Sequence, residues 1–367
     1  MDHMAFPMWQ SSFRFPADAI DRVELNKGMN ANGTAVAYAI QDGACPITDF
    51  PFTFERGGSG IVVGDVRELL VKVPDSTFRC CITSPPYWGL RDYGIADQIG
   101  AEMDLDIYIE NVTQVFREVR RVLKADGSFW LNVGDSYTSG NRTWRDADKK
   151  NPARGMSYRP PTPDGLKPKD LIGIPWRIAL ALQRDGWFLR SDIVWHKPNC
   201  QPESVKDRPT RSHEYVFLLT KSEDYHYDWE AVRESSLTHG KLRNRRTVWS
   251  VNTEAFPDAH FATFPPSLIE PMVRAGTQSG DLVLDPFFGS GTVGAVCQKL
   301  GRRFVGIELK SEYAEIALKR LGWKDIRHEF QDGVPGPAPG PSDFALLPPP
   351  VAPRPVSARR PPSDRRG

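Results

Sequence analysis

The residues with the clearest chemical potential lie in a glycine-rich segment at 285–292, with sequence DPFFGSGT. Gly289, Gly291 and Gly294 follow a short apolar stretch, and Glu308 ends the next apolar stretch, 17 residues after Gly291 (308 − 291). Glycines in such a turn let the backbone approach a ligand closely, and the acid accepts hydrogen bonds from ribose hydroxyls. The pattern predicts a nucleotide-type cofactor site, although a tight strand–helix turn without a ligand would use the same glycines.

Two details disfavour a nicotinamide cofactor at this turn. Asp285-Pro286 closes the preceding apolar stretch, where a dehydrogenase fingerprint runs directly into glycine. No Lys, His or Tyr stands out as the proton donor that an oxidoreductase needs. A nicotinamide-dependent oxidoreductase is kept as an alternative of a different class, and a nucleic-acid-binding module with a degenerate cofactor site as another. The intact Asp285, glycines and Glu308 argue against that module.

A second segment, 83–88, has the sequence TSPPYW and follows another short apolar stretch. Proline fixes φ and has no N–H, so Pro85 and Pro86 make a rigid loop whose carbonyl groups point outward unpaired. The Ser84 hydroxyl and the Ser84 or Pro85 carbonyl are hydrogen-bond acceptors beside Tyr87, a flat surface for stacking. An exocyclic amine on a planar base needs this combination. The structural alternative is a plain turn after an edge strand.

Apolar periodicity places both segments at the ends of predicted strands. Strands are predicted at 61–63, 78–83, 128–133, 188–195, 214–220, 281–285 and 303–308, and helices at 105–124, 171–184, 292–300 and 312–321. Strands that alternate with helices predict an α/β fold built on a doubly wound sheet.

The charges of the 367-residue chain nearly cancel, since 47 Lys and Arg against 46 Asp and Glu give a formal net charge of +1. This balance excludes a histone-like polycation, and 40% hydrophobic residues exclude a wholly disordered chain. Residues 141–250 nevertheless hold 21 basic and 14 acidic residues, an excess of 7. Five scattered cysteines form no CxxC pair. Without an 18-residue apolar run or a signal peptide, we expect a cytoplasmic protein of a bacterium or phage-infected host.

Together the motifs resemble the β group of the amino-methylating DNA methyltransferases, which use S-adenosylmethionine. The resemblance spans 64–321 and rests on VVGD (62–65), TSPPYW (83–88), SDIVWHKPN (191–199), RSHEYVFLLTK (211–221), HFATFP (260–265), DPFFGSGT (285–292) and VGIE (305–308). In that group the proline loop precedes the glycine loop, as it does here. The resemblance implies a Rossmann-like class I methyltransferase fold, with a seven-stranded mixed sheet in permuted motif order and an inserted DNA-recognition segment.

The resemblance also implies roles for individual residues. The catalytic loop would comprise Ser84, Pro85, Pro86 and Tyr87. The cofactor site would comprise Asp65 near the adenine amine, Thr263, Phe264 and Pro265 in a covering segment, Asp285, Phe287, Gly289, Gly291 and Thr292 around the methionine part, and Glu308 on the ribose hydroxyls. Within the family, SPPY is mostly associated with N4 of cytosine and DPPY with N6 of adenine. The prediction is therefore a cytosine-N4 enzyme, with adenine N6 as the runner-up.

The chemistry of the amine explains what such a loop has to do. The N4 lone pair is delocalised into the ring, so acceptors for the two amine protons would localise it toward the methyl donor in a positioned geometry. Neither a metal nor a covalent intermediate is required. The target base must flip out of the duplex, and Tyr87 is the predicted stacking surface. The rival carbon-5 reaction needs a cysteine that follows a proline, and none of the five cysteines does.

The predicted catalytic domain is 56–323, with 1–55 an N-terminal extension of unknown role and 324–367 a Pro/Arg-rich, disordered tail. A mobile basic loop at about 139–166 and a target-recognition segment at about 199–255 are predicted to face double-stranded DNA. The candidate DNA contacts are Arg142, Arg145, Arg154, Arg208, Arg211, Arg243, Arg245 and Arg246. A merely solvated surface is the alternative for the loop. A restriction endonuclease as partner, and the choice between monomer and dimer, are left open.

Overall fold

The computed structural model describes residues 25–29, 35–39, 47, 50–95, 97–138, 160–236, 240–254 and 264–323. The strands are β1 Leu25–Met29, β2 Ala35–Ala39, β3 Phe54–Arg56, β4 Ser59–Val63, β5 Phe78–Thr83, β6 Leu123–Val133, β7 Phe188–His196, β8 His213–Thr220, β9 Glu234–Ser235, β10 Leu242–Arg243, β11 Val248–Ser250, β12 Leu282–Asp285 and β13 Arg303–Glu308. The helices are α1 Val66–Leu70, α2 Leu105–Val122, α3 Ile174–Arg184, α4 Pro266–Gly276, α5 Thr292–Lys299 and α6 Ser311–Leu321.

Nine of these strands form one mixed sheet in the order β11-β7-β8-β6-β5-β12-β13-β4-β3. The five strands from β6 to β4 run parallel, while β8 is antiparallel to both β6 and β7. Strands that are covered on both faces have near-continuous apolar sequences, as in LVLD of β12 and FRCCIT of β5. The Rossmann-like class I fold implied by the resemblance is confirmed.

The centre of the sheet determines where a ligand can bind. β5 and β12 are adjacent and parallel, with Leu284 aligned to Cys81. β5 pairs with β6 on its other side, and β12 pairs with β13 on its other side. The loops that follow β5 and β12 therefore diverge and leave a crevice at the carboxyl ends of the strands, the usual ligand site of an open α/β sheet. These loops contain the two chemical segments, 83–88 and 285–292.

Helix α2 shows how an amphipathic sequence covers this sheet. Asp104 caps it, because its carboxylate accepts hydrogen bonds from the backbone N–H groups of Asp106 (2.7 Å) and Ile107 (3.1 Å). Its buried face carries Tyr108 and Phe116, both fully shielded from solvent. The predicted apolar periodicity of this helix is therefore observed, with its end at Val122 rather than 124.

Three features of the fold differ from the predictions. The sheet has nine strands rather than seven, because the short strands β3 and β11 add to its two edges. Strand β6 begins at Leu123 rather than 128, with an irregular pairing to β5 between Phe78 and Cys80. Helix α4 was not predicted, because Pro266 and Pro271 suggest a loop. Pro266 is the first residue of this helix, where its missing N–H would have no partner, whereas Pro271 lies inside the helix.

Parts of the predicted segments lie outside the described residues, namely 1–24, 30–34, 40–46 and 48–49 of the N-terminal extension, 139–159 of the basic loop, 237–239 and 255 of the target-recognition segment, 256–263 before α4, and the tail from 324 onward. The predicted domain boundaries therefore stay predictions. Within the described ranges, no helix is both long and apolar enough to cross a membrane.

Candidate active site between the proline and glycine loops

A cavity of about 1000 Å³ opens at the carboxyl ends of β5 and β12, and both chemical segments line it. We call one part the glycine-loop half; it is lined by Asp65, Phe287, Gly289, Ser290 and Glu308. We call the other part the proline-loop half; it is lined by Ser84, Tyr87, Asn132, Lys197 and Glu214. The two motifs, 202 residues apart at Thr83 and Asp285, thus meet in one site.

The glycine-loop half is built largely from backbone. Gly289 and Gly291 have φ angles of +53° and +76°, a left-handed conformation that favours glycine, and Gly291 precedes the first residue of α5. A Cβ atom at Gly291 would lie 2.8 Å from the Cβ atom of Ala317 on α6. A side chain at this position would therefore strain the backbone and also push against a neighbouring helix.

Glu308, the last residue of β13, lies beneath the glycine loop. Its carboxylate accepts hydrogen bonds from the backbone N–H groups of Gly289 (2.7 Å) and Lys310 (2.9 Å). Burial raises the pKa of Glu308 to about 7. A carboxylate has about four lone-pair sites, so two backbone bonds leave room for hydroxyl donors of a ligand. This geometry suits the predicted role of Glu308 on ribose hydroxyls.

Asp285 connects the two loops. Thr83 Oγ1 at the end of β5 donates to Asp285 Oδ1 at 2.6 Å, and the Phe287 N–H donates to the same oxygen at 3.2 Å. Burial raises the pKa of Asp285 to about 7. Among the described residues, Asp285 Oδ2 and Ser290 Oγ are buried without a hydrogen-bond partner. Since Ser290 also lines the cavity, its unsatisfied hydroxyl fits a polar ligand such as the amino-acid part of S-adenosylmethionine.

The other predicted cofactor residues differ in how far they face the cavity. Phe264, Phe287 and Thr292 line it. Pro265 immediately precedes α4 and is buried away from the lining. Thr263 lies outside the described residues.

Asp65 lines the cavity but is already engaged within the protein. It caps α1 by accepting a hydrogen bond from the Arg67 N–H at 2.8 Å, and its carboxylate lies 2.5 Å from the Arg67 guanidinium. Burial raises the pKa of Asp65, but the hydrogen bonds from Arg67 outweigh it and hold the pKa below its usual value. An adenine amine at this point would share the carboxylate with Arg67.

In the proline loop, one of the outward carbonyls is not free. The Tyr108 hydroxyl on α2 donates to the Pro86 carbonyl at 2.8 Å, which ties the loop to that helix. The Ser84 side chain is half-buried and, like Pro85, lines the cavity. Ser84 and the carbonyls before Pro86 are therefore the acceptors that this loop can offer to an amine.

Tyr87 is held more firmly than a simple stacking platform would be. Its hydroxyl donates to Glu214 Oε2 at 2.8 Å. A Cβ atom at Gly134 would lie only 2.7 Å from Tyr87 Cε2, so the ring is packed directly against that glycine. Burial and the neighbouring Glu214 carboxylate raise the pKa of Tyr87 well above its usual value.

A polar cluster of Asn132, Lys197 and Glu214 completes the proline-loop half, and sequence analysis missed it. Asn132 Nδ2 donates to Glu214 Oε2 at 3.2 Å, and Lys197 Nζ donates to Glu214 Oε1. The sequence does carry a positional signal for these residues. Asn132 lies near the carboxyl end of β6, Lys197 directly follows β7 and Glu214 is the second residue of β8, so all three lie at the cavity edge of the sheet.

The predicted DNA-contacting arginines fall into different surroundings. Arg211 lines the cavity, 3.8 Å from Asp135 Oδ2, and Arg208 is ion-paired with Glu203 at 2.5 Å. Arg243 is ion-paired with Glu234 at 2.9 Å. Pairing of this kind reduces the charge that these side chains offer to phosphate.

The last arginines of the predicted recognition segment differ from each other as well. Arg245 is half-buried, with its guanidinium carbon 4.4 Å from the centre of the Trp249 ring, whereas Arg246 is exposed. Arg142, Arg145 and Arg154 lie outside the described residues.

A protein-family model described as DNA methylase matches residues 78–319, which contain both loops and the polar cluster. The chain belongs to this DNA methylase family. Two curated relatives support the assignment. The Type II methyltransferase M.Cfr9I of Citrobacter freundii is 62% identical over 74% of this chain and 90% of its own length. The Type II methyltransferase M.SmaI of Serratia marcescens is 62% identical over 71% of this chain and 90% of its own length. The chain is thus a Type II DNA methylase.

Solved structures share the fold of this methylase. The PvuII DNA methyltransferase, described as cytosine-N4-specific, matches with a TM-score of 0.54 and 23% identity, over 71% of this chain and 85% of that chain. A DNA modification methylase of Thermus thermophilus, solved in complex with S-adenosyl-L-methionine, matches with a TM-score of 0.50 and 26% identity. That match covers 72% of this chain and 93% of the other.

Proposed function

We propose that this methylase transfers a methyl group to the exocyclic N4 amine of a cytosine within a short sequence of double-stranded DNA. The observation that carries the proposal is the serine of the proline loop. Ser84 follows directly on Thr83, whose hydroxyl is bound to Asp285 of the glycine loop at 2.6 Å, and both loops line one cavity. The Ser84 hydroxyl, which can accept a hydrogen bond from the target amine, thus lies beside the cofactor loop.

The methyl donor is S-adenosylmethionine, which supplies a methyl group on a positively charged sulfur. Glu308 would accept hydrogen bonds from its ribose hydroxyls, and Gly289 and Gly291 would let the backbone approach its methionine part closely. The unsatisfied Ser290 hydroxyl and Asp285 would serve its amino-acid part. These residues bind and orient the donor, and they need not change protonation during transfer.

The proline loop orients the acceptor amine. The Ser84 hydroxyl and a carbonyl of Ser84 or Pro85 accept hydrogen bonds from its two protons, which localises the nitrogen lone pair. The Pro86 carbonyl is already bound to Tyr108, so the loop cannot rotate to present it instead. Tyr87, packed against Gly134, forms a wall on which the flipped base stacks.

Serine at the first loop position favours cytosine over adenine in this proposal. The preference rests on the resemblance, since within the family SPPY is mostly associated with N4 of cytosine and DPPY with N6 of adenine. Adenine N6 remains the alternative target, and the product of the reaction distinguishes the two.

Contacts to DNA follow from the same site. Arg211 at the cavity and the exposed Arg246 would contact phosphate or base edges beside the flipped nucleotide, together with Arg142, Arg145 and Arg154 of the basic loop. A restriction endonuclease that cuts the same sequence would be the functional partner, in keeping with the Type II relatives.

The direct test is expression in a host without DNA methylation, followed by nucleoside mass spectrometry of the host DNA. N4-methylcytosine is the expected product, and long-read sequencing of the same DNA would give the recognition sequence. The Ser84→Ala variant serves as the matched control and should yield almost none of the product. Methylation of adenine alone would refute the cytosine proposal while leaving the family assignment intact.

A further inference from the structure

The ion pair of Lys197 and Glu214 is the main charged feature of the proline-loop half for which the proposed reaction has no role. Both side chains line the cavity, and each is only 17% exposed. Lys197 follows the end of β7 and Glu214 is the second residue of the antiparallel β8, so the pair joins the ends of two adjacent strands. A buried pair of this kind costs desolvation free energy, which a purely structural role could avoid with apolar residues.

The hydrogen-bonding capacity of the Glu214 carboxylate is used mainly within the protein. Its Oε2 accepts from the Tyr87 hydroxyl at 2.8 Å and from Asn132 Nδ2 at 3.2 Å, and its Oε1 accepts from Lys197 Nζ. Three donors occupy most of the roughly four lone-pair sites of a carboxylate. Glu214 is therefore a positioning residue that fixes the Tyr87 ring and the Lys197 ammonium relative to each other.

The Lys197 ammonium has N–H groups that are not used in the bond to Glu214. Its ammonium carries three protons, and among the described residues it gives one of them to Glu214. The same nitrogen lies 4.1 Å from the centre of the Trp195 ring, which fixes the side chain in place. The remaining protons are available to an acceptor atom of a ligand in the cavity.

We propose that Lys197 donates a hydrogen bond to the ring carbonyl oxygen O2 of the flipped cytosine and is thereby a specificity-determining residue. The inference rests on the proposed function. Cytosine and adenine both present an amine next to a ring nitrogen, but on the other side of that nitrogen cytosine has a carbonyl oxygen and adenine a C–H. A fixed cation opposite this position donates a hydrogen bond to the cytosine oxygen. With adenine in the cavity the same cation would be a buried donor without an acceptor.

A phosphate oxygen is a less suitable partner for Lys197. The charge of the ammonium is already balanced by Glu214, so little long-range attraction remains for DNA phosphate. A short hydrogen bond needs no net charge, and a side chain that is 17% exposed suits a ligand that enters the cavity. The two partners can also be separated by experiment.

The test measures kcat/KM on duplexes that carry cytosine or 2-thiocytosine at the target position of the recognition sequence. Sulfur is a weaker acceptor than oxygen, and the rest of the base is unchanged. The enzymes compared are the wild type, Lys197→Met, and the double variant Lys197→Met with Glu214→Gln. In the double variant the glutamine side chain still accepts the hydrogen bond from Tyr87, and no unpaired carboxylate is left in the cavity. Lys299→Met is the matched control, because Lys299, the last residue of α5, is paired with Glu270 and neither side chain lines the cavity.

The wild type and Lys299→Met should react about 10-fold more slowly with 2-thiocytosine, since a hydrogen bond to a charged group is weakened. Lys197→Met and the double variant should be about 10- to 100-fold slower on cytosine and should treat both bases alike. Sulfur sensitivity that survives in both Lys197 variants would overturn the inference. If their salt dependence also became shallower, Lys197 would be a phosphate contact instead. N6-methyladenine from the wild type would refute the proposed function itself, along with this inference.

Discussion

The two halves of the cavity are built from different materials. The glycine-loop half is centred on the backbone of one short segment, with Gly289 and Gly291 in left-handed conformations, and the Glu308 carboxylate is bound to two N–H groups beside it. The proline-loop half is made by side chains from the ends of four separate strands, which meet at Glu214. A site for one unchanging cofactor can be built by backbone, whereas a site that selects one base needs specific side chains.

The largest expected effect tests the glycine-loop half. Gly291→Ala should abolish measurable cofactor binding by calorimetry and lower the free energy of unfolding by about 2–4 kcal/mol, through left-handed strain and the contact with Ala317. Gly280→Ala is the control, because Gly280 has φ +81° and no atom within 4 Å of an added Cβ. It should cost about 1 kcal/mol from strain alone and leave binding unchanged. Equal losses in both variants would contradict the packing argument.

The next effect separates the two halves from each other. Ser84→Ala should lower kcat by about 100-fold, because one acceptor for the amine is lost, while the affinity for the cofactor is unchanged. Tyr87→Phe keeps the ring and loses only the hydrogen bond to Glu214, so it should lower kcat by less, about 5- to 10-fold. Single-turnover kinetics and calorimetry measure the two quantities. A weakened cofactor affinity in Ser84→Ala would show that the halves are not independent.

A third effect concerns Asp285 beside the glycine-loop half and the pH dependence of the free energy of unfolding. Burial raises the pKa of Asp285 from 3.8 to about 7, so the folded protein holds a proton that the unfolded chain releases. This contribution to stability is complete below about pH 4 and is lost as the pH rises through about 7. Urea unfolding between pH 4 and 7 should therefore show a shallower decline in Asp285→Asn than in the wild type.

Asp126 provides the control of opposite sign. The hydrogen bond from Arg79 lowers the pKa of Asp126, so its contribution is present above its unfolded pKa and lost only as the solution becomes more acidic. Asp126→Asn should shift the stability at every pH between 4 and 7 by the same amount. An unchanged decline in Asp285→Asn would show that the folded carboxyl is ionised over this range.

The smallest expected effect concerns the surface beside the cavity. Arg246→Ala should weaken DNA binding a few-fold and reduce the slope of log affinity against log salt by about 1, because one phosphate contact is lost. Arg243→Ala should change the slope less, since Arg243 is paired with Glu234 at 2.9 Å. Fluorescence anisotropy with a duplex at several salt concentrations measures both. Identical slopes for Arg246→Ala and the wild type would remove Arg246 from the DNA surface.

Much of the glycine-loop half could be predicted from sequence, and little of the proline-loop half beyond its loop. Gly289, Gly291 and Glu308 are recognisable because local strand–turn–helix geometry demands glycines and an acid at fixed spacing. Asn132, Lys197 and Glu214 have no such spacing, because each belongs to a different strand end. Only the antiparallel pairing of β7 with β8, and of β8 with β6, brings them together.

The linear sequence specifies the α/β class, the order of the proline and glycine loops and the identity of the residues that they contain. These properties depend on local periodicity and on residues whose conformational limits act over a few positions. Three-dimensional packing places the Tyr108 hydroxyl on the Pro86 carbonyl and brings Lys197 to the cavity. These contacts join residues through packing and strand register, and a linear pattern carries no information about either.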